Sequence, residues 1–159
     1  MDQDAFRSTY RAVNERFCVY EKAILTNNCA CSLAHKFCIA EREGVHCGSD
    51  AAQAACTEFL ELLRRQARFA LKSTSTDDRA ALPHAKAMRI QVGGLRGIEA
   101  ALHPEEPVPA RIEDIRGTIE SAIAAFGSLD RLPFQEIIKQ VSAYQGRKRR
   151  GKGPGTTRA

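Results

Sequence analysis

Six cysteines crowded into one stretch constrain this chain more than any other feature. They fall at Cys18-x10-Cys29-x-Cys31-x6-Cys38-x8-Cys47-x8-Cys56, and none follows residue 56 in a chain of 159 residues. A buried cysteine packs well as a small hydrophobe, but that use gives no reason for crowding. The thiols therefore read as a site. The start, Met1-Asp2-Gln3-Asp4, is acidic and lacks the basic and apolar segments of a secretory signal. No apolar run approaches the roughly 20 residues a membrane span needs. The expected location is cytoplasmic, without membrane association. In a reducing compartment, clustered thiols point to metal binding or redox chemistry rather than structural disulfides.

Geometry narrows which thiols can act together. Residues i and i+2 diverge by about 200° on a helix but share a side of an extended chain. Cys29 and Cys31 can thus share a metal only in a loop, which Thr26-Asn27-Asn28 favours. Cys38 can join them if its helix starts after Cys31 and the loop folds back over its first turns. Cys47, between Gly44 and Gly48 and ahead of a helix N-terminus, is a natural loop ligand, where the helix dipole favours thiolate. The expected ligands are four drawn from Cys29, Cys31, Cys38, Cys47 and Cys56, with Cys18 a lesser candidate. A rival arrangement folds the first three helices into regular hairpins turning near residues 28 and 47, and places Cys18, Cys38 and Cys56 at one level of the bundle.

No Cys-x2-Cys knuckle of the zinc-finger kind is present, and His35 and His46 stand alone. Thiolate-only ligation at irregular spacing among Phe17, Phe37 and Phe59 suits an iron–sulfur cluster better, although the bacterial ferredoxin run is absent. Glu43-x-x-His46 has the spacing of a di-iron carboxylate half-site but no second half-site accompanies it. Gly93-Gly94-Leu95-Arg96-Gly97 lacks the strand and the Gly-Lys-Ser/Thr of a phosphate loop. Close helix packing, or a local helix break, explains those glycines better. No nucleophile–base constellation supports hydrolysis.

Helical periodicity dominates the rest. Asp4 to about Asn27 reads as one amphipathic helix with Phe6, Tyr10, Val13, Phe17, Tyr20 and Ile24 on its apolar stripe. Leu33 to about Glu43 reads as a second helix. A third, capped by Ser49 or Asp50, carries Cys56, Phe59, Leu63 and Ala67 inward. Further helices follow Pro83, carry Ile112 to Phe126 ahead of Gly127, and open at Pro133. The expected fold is all-α: an antiparallel bundle of five or six helices. Its parts are a Cys-rich half (1–72), a linker (73–83), a helical half (84–145) and a disordered basic tail (146–159).

The net charge of +5 belongs to that tail, which holds Arg147, Lys148, Arg149, Arg150, Lys152 and Arg158 and no acidic residue. With these set aside, the 19 acidic residues balance the remaining basic ones to within about one charge. A nucleic-acid-binding face on the body is therefore not expected. Together these features predict a small non-catalytic iron–sulfur protein, with [4Fe-4S] the expected cluster. It would serve electron transfer, redox sensing or cofactor assembly, with a protein redox or assembly partner. The alternative is a zinc-stabilised helical module that binds nucleic acid or a protein through residues 146–159.

Overall fold

The computed structural model describes residues 3–72 and 80–146. In chain order the elements are α1 (Gln3–Val13), α2 (Glu21–Leu25), β1 (Ala34–Ile39), β2 (Arg42–Cys47), α3 (Asp50–Gln66) and α4 (Arg68–Leu71). The second half continues with α5 (His84–Met88), a π turn (Arg89–Gly93), α6 (Gly94–Leu102), α7 (Ile115–Phe126), a 3-10 turn (Leu129–Arg131) and α8 (Phe134–Ala143). The described residues are 59% helical, yet the all-α bundle of five or six helices must be corrected. More helical segments than expected occur, and residues 34–47 form a two-stranded antiparallel sheet.

That hairpin replaces the helix expected over Leu33–Glu43. It pairs Phe37 with Gly44 and Cys38 with Glu43 across the strands. Its two-residue connection puts Ala40 at a φ of 54°, where glycine or asparagine is the usual signal. A Cβ on Gly44 would run into the Phe37 ring, so the glycine makes room for its cross-strand aromatic partner.

The single helix expected over Asp4–Asn27 is also broken, because the open edge of β2 needs hydrogen-bond partners. The segment before α2 supplies them. Cys18 N–H donates to the Val45 carbonyl (3.0 Å) and Cys47 N–H to that of Arg16 (2.8 Å), while Phe17 bridges His46 antiparallel. Side chains complete the edge. Asn14, 3% exposed, donates to the Val45 carbonyl, and its Oδ1 lies 2.9 Å from His46 Nδ1. Glu21 accepts from Val45 N–H at 2.7 Å and from Tyr10 Oη at 2.9 Å. Val13 and Phe17 consequently lie exposed instead of on a core-facing stripe.

The remaining helices follow their periodicity. Ser49 caps α3 by accepting from Ala52 N–H. Phe59 and Leu63 of α3, Leu95 and Ile98 of α6, Ile115 and Ile119 of α7, and Ile137 and Val141 of α8 are all buried in one core. Each such side chain contributes roughly 1.5–3 kcal/mol of burial. A Cβ on Gly93 would stand 2.7 Å from Val141 Cα, and one on Gly97 2.6 Å from Ile137 Cα. The two glycines thus let the π turn and α6 approach the backbone of α8. Gly127, at a φ of 94°, ends α7. The core also joins the two halves of the chain. Cys29 bridges Ile112 in parallel, with Ala30 N–H donating to the Ile112 carbonyl and Ile115 N–H to that of Ala30. Residues 73–79 of the expected linker and 147–159 of the expected tail lie outside the described residues.

Candidate functional site

The hairpin and its bridging segment bring cysteines from four separate pieces of chain around one small cavity. Cys18 stands on the segment paired with β2, Cys31 in the turn that leads into β1, Cys47 at the end of β2, and Cys56 in α3. Ser49 caps α3 two residues after Cys47, so the same local structure that ends the strand points Cys56 back towards it. Val19, Leu33, Ala34, Ala52 and Ile115 supply apolar wall, and Tyr20, Gln53 and Arg116 complete the lining.

All six cysteines are free thiols. Burial pushes the Cys18 and Cys56 thiols up to about 12, with the neighbouring cavity cysteines adding to the shift. Both are therefore neutral near pH 7. The Cys47 thiol donates to the Ser49 carbonyl at 3.3 Å. Arg116 pulls the Cys56 thiol in the opposite, weaker direction, and its guanidinium is held by Glu120 at 2.7 Å. Tyr20 is 1% exposed, and its hydroxyl has no hydrogen-bond partner among the described residues. An unpaired buried hydroxyl of this kind costs about 1–3 kcal/mol.

Of the ligands expected from sequence, Cys31, Cys47 and Cys56 share this cavity and Cys29 and Cys38 do not line it. Cys29 is 1% exposed beside Ile112, and burial pushes its thiol up to about 12 against the opposing pull of Arg96 and Arg111. Cys38 is exposed on β1 opposite Glu43. Sequence places Tyr20 on the packing stripe of a single long helix and Cys18 within that same helix, so neither stands out as part of a site. The rival arrangement, with Cys18, Cys38 and Cys56 at one level, did place Cys18 with Cys56. Neither reading reached Cys31 and Cys47 together with Cys18, because that requires the hairpin.

Among the described residues no group of three or more His, Cys, Asp or Glu side chains is arranged to hold a metal ion. The four thiols thus border a shared void without converging on a single point. Glu43 and His46, the spaced pair noted in the sequence, are not brought together as a half-site: Glu43 is exposed and His46 turns to Asn14. No helix among the described residues is long and apolar enough to cross a membrane. In comparisons with known proteins, no family model, curated protein or solved structure matches the chain.

Proposed function

We propose that Cys18, Cys31, Cys47 and Cys56 hold an iron–sulfur cluster of the [4Fe-4S] type, and that the chain serves electron transfer, redox sensing or cofactor assembly. The observation that carries this reading is the single cavity lined by those four thiols. Packing alone gives no reason for four cysteines from separate segments to line the same cavity. Four thiolates are the donor set such a cluster takes.

The donor set alone also fits structural zinc, which binds four cysteines at about 2.3 Å and so draws their sulfurs within about 3.8 Å of one another. A four-iron cluster instead takes each thiolate at a separate corner of a larger body. The all-thiol lining of the cavity, with no histidine or carboxylate among its residues, is what favours the cluster over zinc. Cys18, Cys31 and Cys56 are half-buried, so the site lies close enough to the surface for exchange with a protein redox or assembly partner.

Anaerobic purification, followed by iron, acid-labile sulfide and zinc assays and a visible spectrum, tests this. The expected result is brown protein with about four irons and four sulfides per chain. Colourless protein with one tightly held zinc overturns the cluster and favours the zinc-stabilised module.

A further inference from the structure

We infer that a second cavity, the cleft between α6 and α7, binds a short linear diamine through the carboxylates of Glu99 and Asp114. The cleft holds about 380 Å³, within the range of small-molecule sites, and shares no lining residue with the cysteine cavity. Its walls are the end of α6 with His103 and the first two turns of α7. Leu102 and Pro109, both half-buried, supply apolar surface for an alkyl chain.

Charge and hydrogen bonding decide what the ends of that chain carry. Arg111 is the one lysine or arginine among the lining residues, and it is already engaged by the Glu113 carboxylate and by Asn27 Oδ1 at 3.3 Å. Glu99 and Asp114 are left without a lysine or arginine partner among the described residues. Thr118, 6% exposed, donates its hydroxyl to Glu99 Oε1 at 2.7 Å. A buried donor on α7 thus holds a carboxylate of α6 in one pose before any ligand arrives. Glu99 Oε2 is the open acceptor, since His103 Nε2 stands 3.9 Å from it, beyond hydrogen-bond reach. Asp114 Oδ1 accepts from the Ser32 N–H at 3.0 Å and hydroxyl at 3.2 Å, neutral donors that leave its charge in place.

The spacing suits two cations. Thr118 N–H donates to the Asp114 carbonyl, so the residue that holds Glu99 stands one turn of α7, about 6 Å, from Asp114. Carboxylates so placed beside apolar wall match an ammonium at each end of a short alkyl chain. An anion does not fit. The first turn of a helix ordinarily attracts one, but here the Asp114 carboxylate lies across it: a Cβ on Gly117 would stand 3.1 Å from Asp114 Oδ2.

The test is NMR titration of the full chain at low salt with 1,4-diaminobutane, compared with butylamine, butan-1-ol and succinate. Saturable shifts concentrated in residues 99–121 are expected, with the diamine tightest, butylamine weaker, and the alcohol and the dianion not bound. Glu99→Gln keeps an acceptor for Thr118, so it should melt like wild type and bind the diamine about tenfold or more weakly. If that variant fails to fold, the four-compound comparison on wild-type protein still decides. Equal binding of diamine and alcohol, tighter binding of succinate, unchanged affinity in Glu99→Gln, or no saturation below about 10 mM overturns the site. Diamine binding that appears only once residues 147–159 are removed assigns the cleft to this chain's own six basic residues there, and overturns a free ligand. None of these readouts involves iron or sulfide, so their failure is distinct from failure of the cysteine site.

Discussion

At the residue scale, burial holds three of the cysteines in their protonated form. Cys18, Cys29 and Cys56 are each raised from 9.0 to about 12, chiefly by desolvation. The folded metal-free chain therefore keeps protons that the unfolded chain releases above about pH 9. The stability these thiols contribute is fully present below about pH 9 and is lost as pH rises towards about 12. The melting temperature of reduced, metal-free protein should accordingly fall between about pH 9 and about pH 12, and Cys29→Ala should remove part of that slope without touching the cavity. A flat profile would contradict the burial assigned to these thiols. Metal binding needs thiolates, so loading should release protons and weaken steeply in acid. Proton release on reconstitution in weakly buffered solution checks this directly.

Among the elements, the close approach of α6 and α8 makes the sharpest forecast. Alanine at Gly97 favours the helix by about 1 kcal/mol, yet its Cβ meets the backbone of Ile137 at 2.6 Å, which no rotamer change relieves. Overpacking of this kind costs about 1–3 kcal/mol. Gly97→Ala should therefore lower the melting temperature, whereas alanine at Gly117 (nearest neighbour the Asp114 carboxylate, at 3.1 Å) should be tolerated better. Comparable melting of the two variants would contradict the close packing.

These C-terminal helices were legible in the sequence because Ile115, Ile119 and Ala122, or Ile137 and Val141, recur at the helix period and face one core. The N-terminal half was less so. Phe6, Tyr10, Phe17 and Tyr20 fit a helix stripe, but the edge of β2 draws Arg16 to Cys18 into pairing, and no propensity at those residues foretells it. The hairpin was hidden by a connection, Ala40-Glu41, that lacks turn-type residues, and by the apparent helical alignment of Leu33, Phe37 and Ala40. The candidate site inherited both misreadings. That the cysteines form a site could be read from their crowding, but the choice among them depends on long-range strand pairing.

Across the whole molecule, the cysteine-bearing segments and the C-terminal helices share one core, with the Cys29–Ile112 bridge between them. The cavity side is held by hydrogen bonds on the β2 edge, while α6, α7 and α8 rest on dense aliphatic burial. Metal removal should therefore raise hydrogen exchange first over residues 16–56 and leave α6 and α8 protected. Uniform deprotection would contradict that order. The charge distribution makes a separate forecast. Basic residues from Arg147 to Arg158 should carry any salt-sensitive binding to polyanions, and removing residues 147–159 should abolish it without changing metal content.

The most direct test of the central claim is iron and sulfide content per chain across the six single Cys→Ser variants, each reconstituted anaerobically. Serine keeps the size but replaces a soft thiolate with a hydroxyl that stays protonated near neutral pH. Cys18→Ser, Cys31→Ser, Cys47→Ser and Cys56→Ser should lose most of the cluster, while Cys29→Ser and Cys38→Ser should retain it, because only the first four line the cavity. Full occupancy in all six, or loss confined to Cys29 and Cys38, would contradict a cluster held by the four cavity thiols.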